Sequence, residues 1–188
     1  LQALAETTMS THFHSIVETV DEKAVDDLIL KLHKAYALYY SAKYGHSIGD
    51  SFKISKLEIS GMESIMNELR YVMKNQVHHY VTTYPLAYPY SSVSYLFIDS
   101  LMPPVFIDAL NARTTKICEL SLRQKKRLVG LDEVPDNWLV LDNKMILPSS
   151  YINTVRVRNF WKNNVKSFMF DIHKNQDRKS TRLNSSHE

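Results

Sequence analysis

Apolar and polar positions along the chain follow a helical period in two long segments and alternate in two short ones. Between residues 24 and 44, and again between residues 61 and 76, apolar side chains recur at spacings of three and four, which is typical of amphipathic helices. Residues 1–8 and 12–18 alternate instead, and predict two short strands joined by a turn at residues 10 and 11. A strand pair followed by helices favours the α+β or the α/β class.

Shorter segments complete the predicted order of elements. Residues 52–59 predict a further strand, and Ser60 with Glu63 forms a capping box that opens the second long helix. The Tyr- and Pro-rich residues 84–92 predict a loop, because proline excludes regular helix. The pattern beyond this loop predicts a hairpin at 138–147 and helices at 104–111, 120–129, 150–162 and 165–175.

Two histidines one residue apart are the first candidate for chemistry. His12 and His14 lie in a predicted strand, where side chains at i and i+2 point to the same face. Phe13 is then expected on the opposite, buried face. Two imidazoles placed side by side can share one metal ion.

Tyr71 is the second candidate, because it lies nearly opposite the apolar stripe of the helix that begins at residue 61. Ser64 and Asn75 share its face, and Asn75 is its neighbour at i+4. A tyrosine on a helix is usually a packing residue. Here the core face of the helix is already filled by other side chains, which weakens that interpretation and favours a chemical role.

Composition and charge narrow the class of protein. The chain has 188 residues, enough for one domain with appendages, and no apolar run approaches the ~20 residues that span a bilayer. A single cysteine, Cys118, excludes an internal disulfide and fits a reducing, cytoplasmic setting. The net charge of +3 does not by itself indicate a nucleic-acid binder, and we interpret the basic residues between 113 and 127 as a solvated helix face.

Three motifs in a fixed order carry a resemblance to a known family. They are Met-Ser-Thr-His-Phe-His at 9–14, Arg-Tyr-Val-Met-Lys-Asn-Gln-Val at 70–77 and Tyr-Pro-Tyr-Ser-Ser at 88–92. This set resembles the single-tyrosine HUH transposases of the REP-associated type. Their pattern is Met-Pro-Asn-His-hydrophobic-His, then Arg-Tyr-Ile-x-x-Asn-Pro-Val, then Tyr-Pro-Trp/Tyr-Ser-Ser. The chain departs from it before the first histidine and at Gln76.

The resemblance covers residues 2–95 and implies an α+β fold, in which an antiparallel sheet is flanked by helices. Residues 1–95 are expected to form an HUH endonuclease core of ferredoxin-like or RRM-like type, and residues 96–176 a mainly helical C-terminal extension. Family members begin with a strand and a helix ahead of the segment that starts here at Leu1. We therefore interpret the chain as an N-terminally truncated fragment, poorly folded and weakly active as it stands. Residues 177–188 resemble a translated sequencing adapter and are expected to be disordered.

The same resemblance implies a chemistry. Family members are bacterial transposases that cut and join single-stranded DNA through a covalent 5′-phosphotyrosine intermediate, which here implies Tyr71 as the nucleophile. His12 and His14 are expected to hold one Mg²⁺ or Mn²⁺ together with a polar residue of the tyrosine helix. Asn75 is the preferred third ligand and Gln76 the alternative.

The expected partner is single-stranded DNA in hairpin-forming sequences, in the bacterial cytoplasm; no membrane partner is expected, and a homodimer is left open. Two other functions remain open. One is a domesticated or degenerate relative that binds DNA hairpins without cutting them, and the other is a metal-dependent phosphodiesterase in which Tyr71 is structural. The candidate DNA-binding residues are Lys53, Lys56, Arg70, Lys74, His78, His79, Tyr88 and Tyr90.

Overall fold

The fold is of the α+β class, with short antiparallel strand pairs flanked by helices and a mainly helical C-terminal part. The computed structural model describes residues 1–49, 53–129, 134–142 and 145–174. The predicted tail at 177–188 lies outside the described residues. The elements in chain order are β1 (Gln2–Thr8), β2 (Phe13–Glu18), α1 (Glu22–Tyr44), α2 (Met62–His78), α3 (Ile98–Leu101), α4 (Pro104–Ala112), β3 (Thr114–Lys116), α5 (Leu122–Val129), β4 (Leu139–Leu141), α6 (Thr154–Phe160) and α7 (Val165–His173).

Strands β1 and β2 form the antiparallel ribbon that the alternating pattern predicts. Thr7 pairs with His14 across the ribbon. Thr7 is fully buried, and its Oγ1 donates a hydrogen bond of 2.8 Å to the carbonyl oxygen of Val72 in α2. Since paired residues of neighbouring strands point to the same face, the face that carries Thr7 and His14 is the one that meets α2.

Helix α2 is confirmed, but its predicted start is wrong. The helix begins at Met62 and its N-cap is Gly61, which makes no side-chain capping bond, so Ser60 and Glu63 do not form the expected capping box. Gly61 has a φ of 82°, which only glycine adopts without strain, and this turn carries the chain into the helix one residue later than a serine cap would. The helix ends at His78, two residues beyond the predicted end.

One hydrophobic core joins the N-terminal ribbon to the C-terminal helices. The buried side chains that form it come from β1, β2, α2, the turn around residues 92–97, and helices α6 and α7. Residues beyond 150 therefore complete the core on which α2 is packed. The fully buried members with the largest side chains are Phe97, Phe168, Leu69, Met73, Leu96 and Ile172.

Two more local predictions are wrong. Residues 53–59 form no strand, and the edge of β1 away from β2 is taken instead by the segment around Tyr90, whose carbonyl accepts a 2.9 Å bond from the Thr8 amide. Phe13 is 44% exposed rather than buried, because it pairs with exposed Thr8 at the end of the ribbon where the turn joins the two strands.

Helix α1 is confirmed, with Asp21 as its N-cap, but none of its residues is buried. Its apolar stripe is therefore left without a cover in the part of the chain that the structure describes. None of the described helices is both long and apolar enough to cross a membrane. The predicted hairpin at 138–147 is confirmed by hydrogen bonds between the backbones of residues 139–141 and 145–147, although its turn residue Asn143 lies outside the described ranges.

The contact between α2 and α7 gives a stability prediction. Oδ2 of Asp171 accepts bonds from Nη2 of Arg70 at 2.7 Å, Nε of Arg70 at 3.1 Å and Nε1 of Trp161 at 2.9 Å. Asp171→Ala removes all three and leaves the partly buried guanidinium without its carboxylate, although its 3.1 Å bond to Oδ1 of Asn67 is kept. We therefore expect the substitution to lower the free energy of unfolding by about 2–3 kcal/mol in urea denaturation. Asp142→Ala is the matched control, because its ion pair with Arg113 is mostly exposed and should contribute less than about 1 kcal/mol. Equal losses in the two variants would contradict this account.

Candidate active site

The predicted catalytic residues lie together at the end of the ribbon, beside the C-terminal half of α2. The ring centres of His12 and His14 are 5.1 Å apart, and that of His14 is 5.4 Å from the ring of Tyr71. His79 lies 4.9 Å from His12, and His78 is stacked on Tyr71 at 5.6 Å. Four imidazoles and one phenol therefore form a continuous set of ring contacts, which we call the His–Tyr cluster.

The ribbon sets the positions of the two histidines. His14 faces α2 because its partner Thr7 is bonded to the backbone of that helix. His12 lies in the turn, where its carbonyl accepts a 2.7 Å bond from the amide of Met9 and its Nδ1 lies 2.9 Å from Oγ1 of Thr11. Nε2 of His12 is left to face α2.

Asn75 extends the cluster on the helix side. Its side chain is fully buried, and its Nδ2 lies 3.4 Å from Nε2 of His12. Its Oδ1 is buried and has no hydrogen-bond partner among the described residues. The amide of Gln76 points elsewhere, since its Nε2 donates to the carbonyls of Met73 and Pro85. Of the two amides that the sequence left open, Asn75 is the one beside the histidines.

Tyr71 is less separate from the core than the helical period predicts. Its side chain is half-buried and packs against the edge of the hydrophobic core. The prediction that it lies opposite the packed face is therefore wrong in part. The reason is that β2 covers the side of α2 that faces the ribbon, so the ring of Tyr71 lies between the core and His14.

Two groups of α2 have lowered pKa values: His78, which is part of the cluster, and Lys74. Burial lowers the pKa of His78 below its ordinary value, and the positive charges of Lys74 and His79 lower it further. Burial also lowers the pKa of Lys74, whose Nζ donates a 2.6 Å bond to the carbonyl of Lys174.

The donor set of the cluster fits a divalent ion. The described residues contain no group of three or more His, Cys, Asp or Glu side chains that could hold a metal. Two imidazoles and one amide oxygen are a different set. Oδ1 of Asn75 is a buried acceptor that no described donor uses, as is Oε1 of Gln76. The amide of Asn75 would have to turn for Oδ1, rather than Nδ2, to lie toward His12. Such nitrogen and oxygen ligands suit Mn²⁺, and Mg²⁺ less well.

The basic candidates for DNA binding are not brought into the ring contacts of the cluster. Arg70 is paired with Asp171 of α7, and Lys56 with Asp26 of α1. Lys74 is bonded to the end of α7, and Lys53 lies exposed ahead of α2. Of the eight candidates, His78 and His79 are the two that belong to the His–Tyr cluster.

The two candidate tyrosines lie on a segment that runs alongside β1. Residues 88–92, which we call the strap, are bonded to this strand through the hydroxyl of Tyr88, which donates a 2.8 Å bond to the carbonyl of Thr8. The rings of Tyr88 and Tyr90 are 5.7 Å apart, and Tyr90 is 58% exposed. An exposed ring held by a fixed backbone is a suitable surface for stacking a base.

Sequence reasoning missed a half-buried carboxyl on the other face of the ribbon. Glu6 accepts a hydrogen bond from the hydroxyl of Tyr151. One signal was present, because Glu6 is the only charged residue in the sequence of β1. No signal points to Tyr151, which lies 145 residues further along the chain.

The cluster, the strap and the Glu6–Tyr151 pair are features that a comparison with known proteins can test. No family model, no curated protein and no solved structure matches the chain.

Proposed function

We propose that the chain is a metal-dependent single-stranded DNA endonuclease and strand transferase, of the transposase class, that forms a covalent bond from Tyr71 to a 5′ phosphate. The observation that carries this proposal is the convergence of a nucleophile and a ligand set. His12 and Asn75 are 63 residues apart in sequence, yet Nε2 of His12 lies 3.4 Å from Nδ2 of Asn75. The ring of His14 is in contact with that of Tyr71. A phenol beside two histidines and a buried amide is suited to phosphoryl transfer.

In the proposed step, Oη of Tyr71 forms a bond to the scissile phosphorus, and the bond from phosphorus to the 3′ oxygen breaks. The phenol proton is lost to solvent, and the released 3′ oxygen takes up a proton, so the step is balanced. The phosphodiester energy is kept in the phosphotyrosine bond, and a second 3′ hydroxyl can reverse the step and join strands. His78 covers one face of the Tyr71 ring, and its lowered pKa disfavours a positive charge there.

His12, His14 and Asn75 are the residues that would hold the divalent ion. When bound, the ion would polarise the phosphate and stabilise the charge that develops on its oxygens. Thr7 orients the ribbon against α2, and Thr11 orients the ring of His12, so both act by positioning the ligands.

A DNA-binding module that does not cut is the second candidate. The packing of Tyr71 against the core favours it, because a half-buried phenol has limited access to an incoming strand. The ion pair of Arg70 and the buried bond of Lys74 favour it too, since these cations are already occupied within the protein.

Covalent trapping tests the proposal against this candidate. The full chain is incubated with Mn²⁺ and a pool of single-stranded hairpin oligonucleotides that carry a fluorophore at the 3′ end, and then separated under denaturing conditions. We expect labelled protein, because the 5′ phosphate of the 3′ fragment becomes bonded to Tyr71. A pool labelled at the 5′ end is the matched control and should give none. If neither pool labels the protein while filter retention shows binding, the second candidate is correct.

A further inference from the structure

A small cavity lies on the face of the ribbon opposite the His–Tyr cluster. Neighbouring residues of a strand point to opposite faces, so Glu6 points away from α2 where Thr7 points toward it. The cavity has a volume of about 170 Å³, and its lining includes Glu6, Pro89, Tyr90 and Tyr151. We call it the Glu6 pocket. It is separate from the residues proposed for catalysis.

The carboxyl of Glu6 is fixed in position. Its own amide donates a 3.0 Å bond to Oγ of Ser92, and its Oε1 accepts the bond from the hydroxyl of Tyr151. Oε2 makes no hydrogen bond to any described residue. Burial raises the pKa of Tyr151, so this phenol stays protonated and remains a donor to Oε1. Burial raises the pKa of Glu6, and the bond from Tyr151 opposes that rise. In its ionised form, the pocket therefore presents one oriented carboxylate oxygen that is still able to accept a bond.

The size of the cavity suits a single ring. An apolar cavity of ~150 Å³ in another protein is large enough to hold benzene. The 170 Å³ of the Glu6 pocket is therefore large enough for one six-membered ring. Pro89, Tyr90 and Pro148 supply flat or apolar surface for such a ring, and the exposed position of Tyr90 allows it to stack on a base.

Oε2 of Glu6 can distinguish cytosine from thymine among the single-ring bases. Cytosine carries an exocyclic amino group that donates to Glu or Asp carboxylates, whereas thymine carries a carbonyl oxygen at the same position. A carbonyl oxygen facing Oε2 of Glu6 would bring two acceptors together. We propose that the Glu6 pocket binds one unpaired cytosine of the single-stranded substrate. This inference rests on the proposed function, since it takes single-stranded DNA as the ligand.

The probes are a short fluorescent oligothymidylate and the same strand with one central cytosine, and affinity for the full chain is measured by fluorescence anisotropy. We expect about tenfold tighter binding of the cytosine strand, the effect of one hydrogen bond to a carboxylate. A third strand carries 2-pyrimidinone, which lacks the amino group, in place of cytosine. It should bind as weakly as the oligothymidylate, and this comparison needs no protein variant.

Two variants separate recognition from stacking. Glu6→Gln replaces one acceptor by an amide that also donates, so we expect the preference for cytosine to fall to less than about twofold. Tyr90→Ala removes the stacking ring and should weaken both strands by a similar factor. Tyr80→Ala is its control, because Tyr80 is 94% exposed and is not part of the pocket lining.

Equal binding of the cytosine and thymidine strands by the wild-type chain would overturn the inference, and so would a preference that survives with 2-pyrimidinone. Covalent adducts are scored on the same strands. Adducts without a cytosine preference would reject the pocket and leave the proposed endonuclease standing. A cytosine preference that Glu6→Gln abolishes, without adducts, would support the pocket and count against cleavage.

Discussion

A Tyr71→Phe variant is expected to form no covalent adduct with DNA while it keeps its fold and its affinity for single-stranded DNA. The substitution removes only the phenol oxygen, which is the proposed nucleophile, and leaves the ring that contacts His14 and His78. Since only one hydroxyl is lost, the free energy of unfolding should change by less than about 1.5 kcal/mol. Adduct yield is read from the 3′-labelled pool on a denaturing gel, and the fold from a thermal melt.

Tyr80→Phe is the matched control for this experiment. Tyr80 lies two residues beyond the end of α2 and is 94% exposed, so it makes the same chemical change next to the cluster without touching it. Its adduct yield should equal that of the wild type. Peptide mapping of the wild-type adduct should find the phosphate on Tyr71. A wild-type yield from Tyr71→Phe protein of the correct mass would reject Tyr71 as the nucleophile.

Local spacing predicted the faces of the site elements only in part. His12 lies in the turn rather than in a strand, although its ring contacts that of His14. Tyr71 and Asn75, at i and i+4 of α2, lie on neighbouring positions as the helical period predicts, but Tyr71 also packs against the core. Spacing cannot predict that these two faces meet. In the structure, the buried bond from Thr7 to the carbonyl of Val72 sets that contact, and a threonine in a strand gives no sign of such a partner.

Element ends and edges were less predictable than element type. Ser60 and Glu63 match a capping box, but the conformation of Gly61 decides where α2 begins. The alternation of residues 52–59 is typical of a strand, yet an alternating segment forms one only if a neighbouring strand has an open edge. Tyr90 of the strap occupies the outer edge of β1, and nothing in the alternation reports that competition.

Polar contacts between distant segments were the feature of the structure that the sequence predicted least well. Arg70 and Asp171 are 101 residues apart, and the sequence analysis named Arg70 as a candidate for DNA binding without any sign of this partner. In the structure the guanidinium joins α2 to α7. Glu6 and Tyr151 show the same limit, because a buried pair is recognisable only when both partners are seen together.

Loss of any one of the three proposed metal ligands is expected to weaken Mn²⁺ binding and to abolish cleavage. His12→Ala and His14→Ala each remove one imidazole, and Asn75→Ala removes the buried oxygen that has no described partner. We expect each variant to weaken Mn²⁺ binding by more than about tenfold, measured by loss of the electron paramagnetic resonance signal of free Mn²⁺ on titration with protein. Asn75→Asp keeps an oxygen donor at the same position and should retain binding.

His33→Ala is the control for the histidine variants, because His33 lies half-buried on α1 and outside the cluster. It should bind Mn²⁺ and cut DNA as the wild type does. The binding measurement does not depend on the DNA target, so it tests the ligand set even for a chain that binds without cutting. If wild-type protein leaves the Mn²⁺ signal unchanged and adducts still form in EDTA, the two histidines position Tyr71 by packing alone. In that case His14→Ala should reduce adduct yield while added Mn²⁺ has no effect on either protein.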